Sequence, residues 1–129
     1  MANDDRFRLD DFELYQAARE FRKSVYNLLK QLPHEEKYAL EPQLRRAAVS
    51  VTNNIAEGHG RWHWQENIRF CRIARGSLDE VIDDLNVCLD QRYGDSQNVA
   101  ELKEAAYRLI ARVNGYIKYL ERCKQGDAP

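Results

Sequence analysis

Apolar residues recur at alternating steps of three and four through most of this chain. Leu14, Ala18, Phe21, Val25, Leu28 and Leu32 make one run, which Phe12, Tyr15, Tyr26 and Leu29 widen. Trp64, Ile68, Cys71, Ala74, Leu78, Val81, Leu85 and Cys88 make a second, and Val99, Leu102, Ala106, Leu109, Val113, Tyr116, Leu120 and Cys123 a third. Between the first two, Leu44, Ala48, Val51 and Ile55 fall within roughly 60° of each other at about 100° per residue. Each set marks one face of a helix that must be covered to leave water. Four such helices with short connections predict an all-α, antiparallel up-down-up-down four-helix bundle.

Turn chemistry predicts the boundaries. Asp10 or Asp11 can cap the first helix, and Pro33 ends it. The connector HEEKYALE follows, with Tyr38 and Leu40 expected to plug one end of the core. Pro42 suits the first position of the second helix, and Gly58-His59-Gly60 is expected to stop it with a left-handed cap. The third helix is expected over 62–92 and is closed by Tyr93-Gly94-Asp95. The fourth is capped by Ser96 and runs to about Lys124. That leaves 1–10 as a disordered N-terminal segment, 11–124 as the bundle and 125–129 as a tail. A chain of 129 residues is enough for one such core.

The second helix carries more than a core face. Arg46, Ser50, Asn53 and Glu57 line its opposite side, and its outer residues are short: Ala47, Val49, Ser50, Thr52, Asn53, Ala56. Patterning against its own core explains only one side, so a second contact surface is expected. Gly76 and Gly115 lie mid-helix, where each costs about 1 kcal/mol against alanine; such glycines usually mark close approach of another helix. Arg46 and Glu57 are too far apart to pair with each other.

The run LRRAAVSVTNNIAEGHGR resembles the signature of the 23S rRNA intervening-sequence proteins, a four-helix-bundle family. The resemblance rests on Pro33 and Glu36, Arg46-Ala47-Ala48-Val49-Ser50, Asn54-Ile55-Ala56-Glu57-Gly58, Gly60-Arg61, Arg69-Phe70 and Ala74-Arg75-Gly76-Ser77-Leu78. It extends from about Phe12 to the last helix. One departure is Thr52, where the family pattern has proline, so this helix is expected to be straight and fully hydrogen-bonded. The resemblance implies a homo-oligomer, since relatives are similar to ring-shaped pentamers. It also implies a tie to RNA: some members are encoded within rRNA genes, and others are similar to the accessory protein that partners a reverse transcriptase in diversity-generating retroelements. Arg46, Ser50, Asn54, Glu57, Gly58, Gly60 and Arg61 are the motif positions that an interface would use.

Composition narrows the chemistry. Net charge is −1 and the pI about 6.3, well below the basic range typical of dedicated nucleic-acid binders. Only Arg61, Arg69, Arg72 and Arg75, with Arg45 and Arg46, form candidate phosphate contacts, and Trp62, His63 and Trp64 stand beside Arg61 as stacking groups. Acidic residues, Asp79, Glu80, Asp83, Asp84 and Asp90, follow along the same helix and are expected to form a solvated face with some pairing, such as Arg75 to Asp79. His59 and His63 are four apart but straddle a helix break, and no HExxH or Glu-x-x-His motif occurs. Gly58-His59-Gly60 lacks the spacing and lysine of a phosphate loop. No catalytic constellation, cofactor, metal or small-molecule substrate is expected. Cys71 and Cys88 lie on apolar faces as buried thiols. The start of the chain has no apolar core suited to a secretion signal, and no run is long enough to span a bilayer, so a cytoplasmic protein is expected. The reading is a non-enzymatic, pentameric structural or adaptor module. The alternative is a protein that binds RNA, or a nucleic-acid enzyme, through basic patches.

Overall fold

The computed structural model describes residues 8–126. Four helices, α1 (Glu13–Leu29), α2 (Leu40–His59), α3 (Trp64–Gln91) and α4 (Ser96–Gln125), pack as a four-helix bundle. Among the described residues there is no strand. The packed pairs are α1/α2, α2/α3, α3/α4 and α1/α4, so the helices form a square in section. The pairs Gln43–Asp84 and Ser50–Ser77 run in opposite senses along α2 and α3, which makes these two antiparallel. Arg75–Asn114 and Gln65–Lys124 do the same for α3 and α4.

The expected seams form the core. Leu14, Ala18, Phe21, Val25 and Leu28 are buried, as are Leu44, Ala48, Val51 and Ile55, and all of the α3 seam from Ile68 to Cys88. Three aromatic positions depart from expectation. Trp64 opens α3 at the bundle's rim and is 37% exposed. Tyr116 is only half-buried, and Ile117, one residue on, fills the core in its place. Tyr38 is 86% exposed, whereas Leu40 does plug the core.

Boundaries shift for local reasons. No aspartate caps α1: Leu9–Asp11 forms a 3-10 turn, Phe12 stands at the N-cap, and the Asp10 carbonyl accepts a bond from Gln16 Nε2. Of the segment expected to be disordered, residues 1–7 lie outside the described residues, as do 127–129 of the tail. α1 ends at Leu29, ahead of Pro33, and His34–Glu36 makes a second 3-10 turn. α2 begins at Leu40, so Pro42 sits third in the helix, still within the turn where no intrahelical acceptor is needed. Glu36 ties this end together. Its Oε1 accepts from the Leu40 backbone N–H at 3.2 Å and its Oε2 from Tyr93 Oη at 2.8 Å. That bond to a carboxylate pushes the Tyr93 hydroxyl up to about 12.

α2 runs unbroken through Thr52. The Thr52 hydroxyl bonds back to the Val49 carbonyl and accepts from Arg22 Nη1 of α1 at 2.9 Å. The helix does not end left-handed, since Gly60 has φ −81°. Left-handed residues close the other two long helices: Arg92 (φ 59°) for α3 and Gly126 (φ 83°) for α4. Asp95, not Ser96, holds the N-cap of α4.

Candidate subunit and nucleic-acid interface

The motif run builds two structures, a polar seam facing α3 and a charged corner where α2 turns into α3. In the seam, Asn54 Nδ2 donates to the Ser50 carbonyl (2.8 Å) and to Ser50 Oγ (3.0 Å). Ser50 Oγ lies 2.7 Å from Ser77 Oγ. The Ser77 proton goes to the Ile73 carbonyl at 3.2 Å, so Ser50 is the donor to Ser77. The result is a directed chain, Asn54 to Ser50 to Ser77 to Ile73, in which each bond polarises the next.

Gly58 allows the two helices to meet beyond that chain. A Cβ at Gly58 would run into Asn67 Oδ1 and would lie 3.2 Å from both the Asn67 carbonyl and Phe70 Cβ. Asn67 is buried and donates to Tyr116 Oη at 3.1 Å, linking α2, α3 and α4 at one level. Ser50 and Gly58 therefore join α2 to α3 directly and Asn54 does so through Ser50; Gly58 is buried, and Ser50 and Asn54 are half-buried.

At the opposite end of the seam, Asp84 is buried to 1% exposure. Its Oδ1 accepts from Gln43 Nε2 at 2.7 Å, and its Oδ2 has no protein partner. Burial pushes this carboxyl up to about 6. The expectation of a solvated acidic face fails at this residue: Asp84 shares its helical face with Val81 and Cys88, and its charge conceals that in the sequence. Burial likewise pushes the Cys71 thiol up to about 12 and Cys88 to about 11. Both stay protonated, far from thiolate reactivity.

The corner gathers some of the expected cations. Arg61 and Arg69 both sit over the Phe70 ring, 5.0 and 5.1 Å from its centroid. Arg61 is also held by Glu57 at 2.8 Å and Glu66 at 3.9 Å. Glu57 thus finds its partner one turn away. Arg46 and Arg72 are exposed and make no ion pair among the described residues. Arg75 does not pair with Asp79; its Nη1 reaches across to Asn114 Oδ1 at 2.7 Å. Arg45 is not in this cluster. It pairs with Glu41 and stacks on Tyr26, 4.7 Å from the ring. It sits fourteen residues before the end of α2 at His59, about 21 Å along the helix, and Arg61 lies beyond that end.

Around this corner Trp62 is 49% exposed, and an open depression of about 620 Å³ is lined by Asn53, Ala56, Glu57, Gly60 and Arg61. His59 is engaged with the Phe12 ring at 5.2 Å, while His63 is the exposed N-cap position of α3. Among the described residues there is no group of three side chains placed to hold a metal, and no helix is long and apolar enough to cross a membrane.

Gly76 and Gly115 also depart from expectation. A Cβ at either would meet nothing within 4 Å, so neither glycine admits a neighbouring helix of its own chain. Part of the outer surface of α2 is taken up internally: Ala47 and Thr52 are buried against neighbours. Val49 and Ala56 stay half-buried, and Asn53 and Gly60 exposed.

The family model described as "23S rRNA-intervening sequence protein" matches residues 10–115. A crystal structure of a protein of unknown function from the S23 ribosomal protein family of Bacteroides thetaiotaomicron superposes with a TM-score of 0.75. It is 19% identical, and the match covers 81% of this chain and 98% of that one. At that identity the likeness speaks for the fold. No curated protein matches the chain.

Proposed function

The chain belongs to the 23S rRNA-intervening sequence protein family, and from that premise we propose that it is a non-enzymatic, homo-oligomeric adaptor, assembled as a pentameric ring. The observation that carries this reading is the outer surface of α2 and α3/α4. Val49, Asn53, Ala56 and Gly60 leave a shallow, short-chained strip on α2. Gly76 and Gly115 give up helix propensity with no packing return inside the chain. Both make sense where another subunit's backbone comes close. Native mass spectrometry of protein purified without nuclease tests the reading. A pentameric mass free of nucleic acid is expected, and Ala56→Trp should break it while the circular dichroism stays helical. A monomeric wild type, or an unchanged mass for Ala56→Trp, counts against it.

A second reading, RNA binding, is favoured by the two guanidinium groups ranged on Phe70, with unpaired Arg72 one turn from Arg69. A ring would repeat this patch around its rim. Two facts weaken it: Glu57 and Glu66 neutralise Arg61, and Arg75 is committed to Asn114. RNA affinity falling steeply with salt, and lost in Arg69→Ala/Arg72→Ala, would support it. Salt-independent or absent binding would remove it.

A further inference from the structure

Two outer surfaces of the bundle stay open. One is the groove between α1 and α4, a cavity of about 500 Å³ floored by Phe21, Leu102 and Leu109 and rimmed by Arg108 and Arg112; nothing in the structure shows what covers it. The other is the outer face of α3, where the charges themselves specify a partner. At about 100° per residue, Arg69, Arg72, Asp79, Glu80 and Asp83 all fall within about 60° of Gly76, on the side away from the core. All six residues are exposed. None of the five charged ones makes an ion pair or a side-chain hydrogen bond among the described residues, and Arg69 only rests on the Phe70 ring.

The charges are symmetric about the glycine. Arg72 and Glu80 lie four residues to either side of it, and Arg69 and Asp83 seven. Within the chain these pairs are about 12 and about 21 Å apart along the helix, too far to meet. Each half instead holds like charges a turn apart, Arg69 with Arg72 and Asp79 with Asp83, which repel. Cations first and carboxylates last is the reverse of the order a helix dipole favours, so the helix itself gives no reason for it. The flanking helices do not cancel the separation. By the register of the pairs that join them to α3, Arg61, Lys118 and Lys124 border the basic half against Glu57, Glu66 and Glu121. Arg46 and Lys103 border the acidic half, against Asp79, Glu80, Asp83 and Asp90.

Such a face complements a second copy of itself laid antiparallel. We propose that α3 of one chain packs on α3 of another across a two-fold axis at Gly76, Arg72 of each meeting Glu80 of the other and Arg69 meeting Asp83. Gly76 lets the backbones cross closely, since a Cβ there would meet nothing within 4 Å of its own chain. Ile73, 44% exposed and one turn from the glycine, covers the crossing from both sides. Each exposed ion pair is worth little alone, but the two-fold repeats every pair, and the contact as a whole is labile to salt. The acidic half repels a polyanion laid along the same face, which favours a second copy over RNA. An isologous contact cannot close a five-membered ring. It is therefore separate from the α2 strip, does not rest on the ring reading, and doubles whatever that strip builds.

Sedimentation velocity over a concentration series, at about 10 mM and about 1 M salt, tests it, because the screening length falls from about 30 Å to about 3 Å between them. The low-salt particle is expected to have twice the high-salt mass. Arg69→Glu/Arg72→Glu makes the face acidic throughout, and Glu80→Arg/Asp83→Arg makes it basic. Each alone should keep the smaller mass at low salt, with the dissociation constant of the pairing raised at least about tenfold. Mixed in equal amounts, the two should regain the doubled mass. Gly76→Leu, at an exposed helical position, should also abolish doubling, with circular dichroism as the check that every variant stays helical. A wild-type mass that is the same in both salts would overturn the pairing. So would doubling retained in both charge variants, or no complex on mixing them. Nuclease-sensitive material bound at low salt and lost in Arg69→Glu/Arg72→Glu would assign the basic half to RNA and overturn it too. The ring reading fails separately: a high-salt mass other than five chains removes it, while a doubled low-salt mass would still support the pairing.

Discussion

The two opposite edges of the bundle, α2/α3 and α1/α4, solve the packing problem differently. On the α2/α3 edge the helices approach until Gly58 leaves no room for a side chain, and polar groups inside the contact are matched one to another. On the α1/α4 edge small residues meet with nothing to fill the gap, and an apolar floor stays open. Small residues therefore have two uses here. Where hydrogen-bonding partners line up across the contact, they let helices close. Where none do, they leave a slot.

Substitutions should separate these edges, and the largest effect is expected at Gly58. Gly58→Ala forces a Cβ into Asn67 and should cost about 2–3 kcal/mol of unfolding free energy, read by thermal or denaturant melting. An effect below the cost of an ordinary surface change would mean the seam can relax.

Next comes Asp84. Its folded carboxyl holds a proton more tightly than the unfolded chain does, so stability falls as pH rises from about 4 to about 6 and is flat above. Asp84→Asn should remove that slope and raise stability at pH 7 by about 2 kcal/mol. Melting curves at pH 4.5 and 7 give the sign.

The serine pair is smaller. Ser50→Ala or Ser77→Ala should each cost about 1 kcal/mol. The double variant should cost less than the sum, because no unpaired hydroxyl is left buried; a double-mutant cycle measures the difference.

Gly76→Ala and Gly115→Ala should each stabilise the isolated chain by about 0.5–1 kcal/mol, as exposed helical positions with free space. If the same changes loosen the oligomer, the glycines serve a subunit contact.

Ala105→Leu should move chain stability by less than about 0.5 kcal/mol, since the groove has room for it. A large loss there would erase the contrast between the edges.

Much of the bundle was legible. Leu44, Ala48, Val51 and Ile55 could be assigned to the core from their spacing, because about 100° per residue is a property of the helix itself. So could Cys71 and Cys88. The candidate site was less legible. Arg61 and Arg69 share one ring, but Arg45 lies at the far end of α2 and Arg75 serves Asn114. Asp84 read as solvated because its charge outweighed its place on the seam. Nothing in the spacing marks Arg108 and Arg112 as the rim of a groove.

The sequence by itself determined that there are four helices, which broad face of each is apolar, and that its Ser50–Arg61 run is a family signature. Those are local quantities, written in periodicity and turn residues. Only the tertiary structure decided whether Tyr116 or Ile117 turns inward, that Trp62 and Trp64 remain outside, that Gly58 is a contact and not a cap, and that Gly76 and Gly115 face empty space. Each depends on how far apart two helices lie and how they are rotated about their axes. The balance of all the contacts together sets that distance and rotation, and no single helix encodes it.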